Sequence, residues 1–295
     1  MTDASSGLVL INKESGPTSH SVVGQLRRTL GTRKIGHAGT LDPMATGLLI
    51  AGVGKATRLL TYLVGLDKRY RATIRLGESR TTDDASGELV TATDAFRITD
   101  AEITAAFGEF RGEIMQRPTA VSAIKVDGQR AYDRVRAGEE VDLPARPVTI
   151  SSLDILGPLR PTTGAGGDGV VDIDVDLRVS SGTYVRAIAR DLGEKLGVGG
   201  HLTQLERTEV GPFTLAEAST VSEPQLLDPL AVMGRVMPVR ELSEAEAKDL
   251  SYGRFIPLSS EAAPFEVAAY GGDIVAVTAP QEGRARPVLV LQAGL

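Results

Sequence analysis

The sequence predicts an α+β fold with a large N-terminal unit and a small C-terminal β domain. Segments that alternate like strands, most clearly residues 170–179 (VVDIDVDLRV), are interspersed with segments of helical periodicity. From about Met237 onward, short strand-like pieces recur between Gly and Pro residues, which is typical of a small β-barrel or sandwich. A chain of 295 residues has room for one large and one small domain.

Apolar spacing predicts where the individual elements lie. Residues 19–30 have helical periodicity, with Ser19 as the expected N-cap and Gly31 as the stop. Further helices are expected over residues 56–63, 99–110 and 183–196. Strands are expected over residues 7–12, 47–53, 70–76 and 170–179, and in the C-terminal part over residues 265–269, 274–278 and 287–291.

Three segments do not fit a regular core element. Residues 1–6 (MTDASS) are expected to form a disordered tail. Residues 116–148 contain three prolines and many charges, which indicates an excursion from the core instead of a central strand. Residues 164–169 (GAGGDG) are expected to form a flexible loop.

The composition excludes several kinds of protein. The chain has no Cys, which excludes disulfides, thiolate metal sites and a Cys nucleophile. No run of eighteen apolar residues is present, and the first residues do not form a secretory signal. We therefore expect a cytoplasmic protein that does not enter a membrane.

The charge pattern is uneven. The formal net charge is −6, which by itself argues weakly against a nucleic-acid partner. Three runs in the first half are nevertheless basic: residues 27–37 carry +4, and residues 67–80 and 117–136 carry +3 each. Such runs are either solvated faces or local sites for phosphate groups.

The dipeptide Asp42-Pro43 has two interpretations. Asp42 could be the N-cap of a helix in which Pro43 is the first residue. The same carboxylate, on a tight turn near a helix start, would be held ionised by the local dipole and could act as a nucleophile. Spacing alone favours the helix cap.

Two other motifs fail. Residues 52–56 (GVGKA) suggest a phosphate-binding loop, but Leu49 and Ala56 occupy the positions where that motif needs Gly and Ser or Thr. The three histidines (His20, His37 and His201) have no ligand spacing, so no metal site is expected.

Several ordered motifs over about the first 215 residues resemble the TruB-type bacterial tRNA pseudouridine-55 synthases. The motifs are GHAGTLDP at residues 36–43 with ATGLL at 45–49, KAT at 55–57, DKRY at 67–70, SAIK at 122–125, ARPV at 145–148, SGTYVR at 181–186, and Leu205 with Arg207-Thr208. The family usually has Lys-Pro where this chain has Lys13-Glu14, which puts the geometry of that loop in doubt.

The resemblance implies a pseudouridine synthase fold with a mixed, largely antiparallel central sheet. It implies a catalytic domain over residues 7–235 with an RNA-gripping insertion at about 116–148, and a PUA-like domain over residues 236–295. It also implies isomerisation of uridine 55 in the T-loop of tRNA by base flipping, with no cofactor and no metal. The expected partner is the T-arm of tRNA, with no obligatory protein partner and a monomeric state.

The resemblance also implies roles for individual residues. Asp42 is the expected nucleophile, which attacks either C1′ or C6 of the nucleotide, and Arg186 is its charge partner. Tyr70 is the expected stacking platform, and Tyr184 is expected to assist proton transfer or hold the base. The expected substrate-binding residues are His37, Leu205, Lys13, Lys68, Arg69 and Lys125.

Two alternatives come from other classes of protein. A non-catalytic RNA-binding protein on the same scaffold would bind tRNA without changing it. A glycoside hydrolase would use Asp83 and Asp84, but neighbouring residues on a strand point to opposite faces, whereas that reaction needs two facing carboxylates.

Overall fold

A large mixed sheet forms the centre of the molecule. The computed structural model describes residues 6–119, 125–126, 129–130, 143–259 and 263–295. Within them, ten strands make one sheet with the main order β1-β3-β13-β4-β12-β10-β7, and β2, β14 and β11 pair at its margins. Only the pairing of β13 with β3 is parallel among the described strand pairs of this sheet. The predicted α+β class and the largely antiparallel sheet are confirmed.

The strands of this sheet have the following bounds: β1 Gly7–Lys13, β2 Ile35–Ala38, β3 Thr46–Val53, β4 Lys68–Leu76, β7 Gly112–Gln116, β10 Arg146–Ile155, β11 Arg160–Thr163, β12 Gly169–Val179, β13 Gly200–Val210 and β14 Phe213–Thr214. Two small hairpins are β5 Glu78–Arg80 with β6 Leu89–Ala92, and β8 Lys125–Val126 with β9 Gln129–Arg130. The helices are α1 Ser19–Thr29, α2 Thr61–Val64, α3 Asp100–Phe110, α4 Val185–Lys195, α5 Pro229–Met233 and α6 Glu244–Ser251.

The two faces of the central strands differ in character. On one face, Tyr70, Ala72 and Ile74 of β4 join the alternate apolar residues of β12 in the main core. On the other face, arginines alternate with carboxylates: Arg69 contacts Asp176 at 2.7 Å, and Arg75 contacts Asp172 at 2.7 Å. The alternation that predicted these strands therefore separates a core face from an ion-paired face.

The C-terminal part forms a second sheet. Its strands are β15 Val239–Glu241, β16 Ile256–Pro257, β17 Glu266–Tyr270, β18 Asp273–Gln281 and β19 Arg284–Val290. In the described residues they follow the order β15-β17-β18-β19-β16 and form a curled half-barrel, in agreement with the predicted small β domain.

Two helix predictions need correction. Thr18, and not Ser19, caps α1, because its hydroxyl accepts a hydrogen bond from the Ser21 N–H at 3.0 Å. Residues 54–60 form a 3-10 helix that leads into the short α2, instead of one α-helix over residues 56–63. By contrast, α3 lies within the predicted range 99–110, and a capping box between Thr99 and Glu102 forms its start.

The excursion at residues 116–148 begins and ends on two neighbouring strands of the large sheet. Strand β7 leads into it and β10 leads out of it, and Gln116 pairs with Arg146 where the two strands meet. Most of the excursion lies outside the described residues. The tail also lies outside them, except for Ser6, whose hydroxyl accepts a hydrogen bond from the Lys55 N–H at 2.9 Å.

Candidate active site

A cavity of about 300 Å³ opens beside the centre of the large sheet. Its walls come from the loop between β2 and β3, the paired strands β4 and β13, and the loop that precedes α4. Three hundred cubic ångströms is at the small end of ligand sites, which suits a group the size of a nucleobase. Its lining includes Asp42, Tyr70, Tyr184, Arg186 and Leu205, all predicted as site residues.

Asp42 and Arg186 form an ion pair in this cavity. Arg186 Nε lies 2.9 Å from Asp42 Oδ2. The Arg186 side chain is 5% exposed, whereas the Asp42 side chain is 36% exposed. The carboxylate is therefore held by a buried cation and remains open on the cavity side.

The other edge of the Arg186 guanidinium is also fixed. Its Nη1 donates to the Thr82 carbonyl at 2.7 Å and lies 3.6 Å from Oδ2 of Asp84. Asp84 in turn accepts hydrogen bonds from the Thr82 hydroxyl at 2.7 Å and the Ser86 N–H at 2.9 Å. Arg186 sits in the first turn of α4, where the helix dipole disfavours a cation. The negative charges of Asp42 and Asp84 offset this unfavourable interaction.

No helix follows Asp42, so the expectation of a helix cap there is wrong. Residues 39–45 form an irregular loop. The Asp42 carbonyl accepts a hydrogen bond from the Ala45 N–H at 3.1 Å, which is the only local turn contact of Asp42 within the described residues. Without a helix at this position, no helix dipole acts on the Asp42 carboxylate. Arg186, which is remote in sequence, supplies the positive charge that was assigned to a helix end.

Three buried side chains hold the Asp42 loop in place. The Ser19 hydroxyl accepts from the Leu41 N–H at 2.8 Å and donates to the Leu41 carbonyl at 3.0 Å. Lys13, which is fully buried, donates to the carbonyls of Ala45 at 2.6 Å and Pro43 at 3.2 Å. Both side chains therefore hydrogen-bond to backbone atoms close to Asp42 in the loop.

Arg207 is the third of these side chains, and its role was missed from the sequence. It is 1% exposed and donates to the carbonyls of Leu48 at 2.7 Å, Gly39 at 3.1 Å and Thr40 at 3.4 Å. An arginine that binds only carbonyl groups leaves no charge pattern along the chain that could have revealed it.

We expect Ser19→Ala to damage both stability and activity. The substitution leaves the N–H and carbonyl of buried Leu41 without their partner, which costs about 1–3 kcal/mol. It also frees the loop that positions Asp42, so we expect the single-turnover rate to fall about tenfold. Chemical denaturation and a rapid-quench assay measure the two effects.

Ser21→Ala is the matched control for this prediction. Ser21 lies on the same helix, and its hydroxyl contacts only the exposed Thr18 hydroxyl at 2.8 Å among the described residues. If both variants lose activity equally, the contact between Ser19 and Leu41 does not position Asp42.

The apolar walls come from the paired strands β4 and β13. Tyr70 and Leu205 are 8% and 7% exposed and both line the cavity. Tyr184 also lines the cavity, and its backbone is fixed by Gln116, whose amide donates to the Tyr184 carbonyl at 3.1 Å and accepts from its N–H at 2.8 Å. Gln116 was not singled out from the sequence, because the contact joins two segments that are far apart along the chain.

Of the predicted substrate-binding residues Lys68, His37 and Lys13, one lines the cavity and two lie outside its lining. Lys68 lines the cavity, and its ammonium donates to the Leu66 carbonyl at 2.5 Å and the Val64 carbonyl at 2.6 Å. His37 on β2 and Lys13 are outside the described cavity lining. Burial lowers the pKa of Lys68 to about 8 and that of Lys13 to about 8, and also lowers the pKa of His37.

The three basic runs differ in whether their side chains are ion-paired. In the run at residues 67–80, Arg69, Arg71 and Arg75 lie on the ion-paired face, away from Tyr70. In the run at residues 27–37, Arg33 and Lys34 are exposed and make no ion pair with a described carboxylate. In the third run most residues lie outside the described ones, and so does the side chain of Lys125.

Asp83 and Asp84 do not form a facing pair of reactive carboxylates. They lie in the turn after β5 and not on a strand, so the reason given from the sequence was wrong. Asp83 lies 3.3 Å from Arg190, and Asp84 supports Arg186. Burial raises the pKa of Asp83 to about 6, which its arginine neighbours partly oppose.

Neither a metal-binding cluster nor a membrane-spanning helix occurs among the described residues. No group of three or more His, Cys, Asp or Glu side chains within them could hold a metal ion. None of the helices in residues 6–119, 143–259 and 263–295 combines the length and the apolar character needed to cross a bilayer.

Comparison with protein families gives matches along most of the chain. Residues 27–185 are similar to the N-terminal domain described as TruB family pseudouridylate synthase. Residues 186–235 match a tRNA pseudouridylate synthase B C-terminal domain, and residues 237–292 match the domain described as tRNA Pseudouridine synthase II, C terminal.

Individual proteins are similar over nearly the full length. A protein of Arthrobacter sp. (strain FB24) named tRNA pseudouridine synthase B is 53% identical over 298 residues, which are 97% of this chain and 96% of that protein. One of the same name from Paenarthrobacter aurescens (strain TC1) is 50% identical over 302 residues, with coverages of 98% and 96%.

Solved structures share the fold. A crystal structure of a Cbf5-Nop10-Gar1 complex matches with a TM-score of 0.69 and 22% identity, over 97% of this chain and 85% of the matched one. The archaeal box H/ACA sRNP Nop10-Cbf5 complex matches with a TM-score of 0.68 and 21% identity, with coverages of 97% and 86%.

Proposed function

The chain belongs to the TruB family of pseudouridylate synthases and is accordingly an enzyme that isomerises uridine in tRNA to pseudouridine, and we propose that its target is uridine 55 in the T-loop, with Asp42 as the nucleophile. The observation that carries the proposal is the meeting of Asp42, Arg186 and Tyr70 in one cavity. These three residues come from separate segments of the chain.

The proposed reaction needs the features that this cavity has. A uridine inside a folded loop must be flipped out, which costs a few kcal/mol. Stacking on Tyr70 and packing against Leu205 would offset part of that cost, since base stacking is worth about 1–3 kcal/mol. Asp42, which is 36% exposed, is accessible to the flipped nucleotide.

The proposed mechanism uses no cofactor and no metal. The N1–C1′ bond is broken, the uracil turns, and a C5–C1′ bond is formed, so the product has the composition of the substrate. No electron acceptor and no phosphate transfer is required. Asp42 attacks either C1′ or C6, and Arg186 fixes the carboxylate for that attack.

Several wider features belong to the same proposal. We assign residues 7–235 to catalysis and residues 236–295 to a PUA-like accessory domain, which the separate five-stranded sheet supports. We also propose that the enzyme acts in the cytoplasm as a monomer, on the T-arm of tRNA, without an obligatory protein partner.

The direct test is to incubate a tRNA transcript with the protein alone and to map pseudouridine by sequencing. We expect a single modified position, in the T-loop, without added metal or cofactor. Modification elsewhere would contradict the assigned position, and tRNA binding without any product would favour the alternative of a non-catalytic RNA-binding protein.

We expect the first basic run, and not the second, to contact tRNA phosphates. Arg33 and Lys34 are exposed and make no ion pair within the described chain, so each is available to a phosphate. Arg33→Ala and Lys34→Ala should each reduce the slope of log affinity against log salt by about 1. Filter binding over a range of salt concentrations measures that slope.

Arg75→Gln is the matched control, because Arg75 belongs to a basic run of similar charge but is paired with Asp172 on the ion-paired face of the large sheet. Its slope should equal that of the unmodified protein. A reduced slope for Arg75→Gln and unchanged slopes for Arg33→Ala and Lys34→Ala would reverse the assignment.

A further inference from the structure

The charge of the cavity is not explained by the Asp42–Arg186 pair. Four cations, Lys68, Arg146, Arg186 and Arg207, line it in the described chain, against the single carboxylate of Asp42. The protein as a whole has a formal net charge of −6, so this excess of positive charge is local. A cavity with this charge favours a ligand or a transition state that carries negative charge.

Among the cations that line the cavity, Lys68 and Arg207 are the two buried ones that form no ion pair with a described carboxylate. They are 6% and 1% exposed, and neither forms an ion pair within the described residues. The Lys68 ammonium is held by two carbonyls and by the Ser181 hydroxyl at 3.1 Å. Burying a cation without a counterion lowers the stability of the fold, so these two side chains reduce the free energy of unfolding.

Arg207 also has hydrogen-bonding capacity left over. Its three bonds to Leu48, Gly39 and Thr40 use three of the five N–H groups of the guanidinium, and no further partner is found among the described residues. Arg207 pairs with Tyr70 across strands β13 and β4, so its side chain lies on the same face of the sheet as the expected stacking platform.

The proposed reaction places negative charge on the base. When the N1–C1′ bond breaks, its electron pair stays on N1, and the uracil leaves as an anion delocalised onto its oxygens. If Asp42 instead attacks C6, the C5–C6 π pair moves towards O4 and gives an enolate. In both routes C5 later bonds to C1′, the bond from Asp42 to C1′ or C6 is broken with its electron pair returning to the carboxylate, the C5 proton is lost and N1 is protonated, so the composition is unchanged.

We propose that Lys68 and Arg207 stabilise the negative charge that the uracil carries while it is detached from, or activated on, the ribose. This inference rests on the proposed function and adds a second electrostatic element to it, besides the positioning of Asp42 by Arg186. Arg207 contributes free N–H donors at the cavity wall, and Lys68 contributes a fixed charge. Lys68 is still protonated at neutral pH, because burial lowers its pKa only to about 8.

The test compares two substrates that differ in how well uracil bears negative charge. Single-turnover rates of N1–C1′ bond breakage, followed as loss of the starting nucleotide, are measured on a tRNA with uridine at the target and on one with 5-fluorouridine, whose fluorine withdraws electrons from the base. Bond breakage is the step compared, because 5-fluorouridine has no C5 proton to lose and cannot become pseudouridine itself. For Lys68→Met we expect a loss of about 10²-fold on uridine and a clearly smaller loss on 5-fluorouridine. Lys68→Arg, which keeps the charge, should restore most of the rate.

Lys13→Met is the matched control. Lys13 is as buried as Lys68 and is likewise bonded to carbonyls, but it is outside the described cavity lining. Any loss caused by movement of the Asp42 loop should be the same on both substrates. Thermal unfolding and the Kd for tRNA, measured on every variant, separate misfolding from a change in rate.

Each result is decisive. Equal losses for Lys68→Met on both substrates would overturn the inference, and so would a change confined to Kd and its salt dependence, which would assign the charge to a phosphate of the RNA. For Arg207→Lys we expect the same smaller loss on 5-fluorouridine, and an equal loss on both substrates would exclude Arg207 from this role. If the unmodified protein forms no pseudouridine at all, the proposed function fails and not this inference alone.

Discussion

Asp42→Asn is expected to reduce the single-turnover rate of pseudouridine formation by at least about 10⁴-fold, since an amide cannot serve as the oxygen nucleophile. Asn has the same shape and can still accept the hydrogen bond from Arg186 Nε, which lies 2.9 Å from the carboxylate in the native protein. The cavity should therefore keep its form, and tRNA should bind with unchanged Kd. Mapping of pseudouridine and filter binding on the same preparation measure both quantities.

The control for this variant is Asp172→Asn. Asp172 also pairs with an arginine, Arg75 at 2.7 Å, but on the opposite face of the sheet. It should leave the rate unchanged and alter only stability. Full activity of Asp42→Asn would exclude Asp42 as the nucleophile, whatever the control shows.

Arg186→Lys is expected to lower the rate by roughly 10²–10³-fold, although the charge is kept. The guanidinium contacts Asp42 with Nε and the Thr82 carbonyl with Nη1, at 2.9 and 2.7 Å. A lysine ammonium is a single point and cannot hold both sides, so the Asp42 carboxylate would lose its fixed orientation. The loss should appear in the rate of the bound complex and not in the Kd for tRNA.

Arg190→Lys is the matched control for Arg186→Lys. Arg190 lies one turn further along α4 and pairs with Asp83 at 3.3 Å and Asp191 at 2.7 Å, outside the described cavity lining. We expect a small change in unfolding temperature and little change in rate. Comparable losses of rate in the two variants would mean that α4 matters as a whole and that the fork of Arg186 has no separate role.

Much of the fold could be predicted because its signals are local. Alternation along residues 170–179 marks β12, since successive side chains of a strand point to opposite faces. Thr99 and Glu102 mark the start of α3, because both partners of a capping box lie within one turn. The change of pattern near Met237 likewise predicted the second sheet, whose strands lie between residues 239 and 290.

The predictions of helix starts were wrong where a residue with the local pattern of a helix cap makes its contacts with a segment remote in sequence instead. Ser19 has the chemistry of a helix cap, but its hydroxyl binds Leu41, so Thr18 takes the cap. Asp42-Pro43 has the composition of a helix start, but the loop is held by Ser19, Lys13 and Arg207 and no helix forms. In each case the deciding contact crosses at least twenty positions of the sequence.

By itself, then, the sequence determined the α+β class, most strand positions and, through motifs that resemble a known family, the set of residues around Asp42. The tertiary structure decided how those residues are used. It showed that Arg186 supplies the charge beside Asp42, that Arg69 and Arg75 serve an ion-paired face, and that Lys68 and Arg207 are buried without counterions. The physical reason is that burial and ion pairing depend on strand register and on contacts between remote segments, which residue spacing along the chain does not specify.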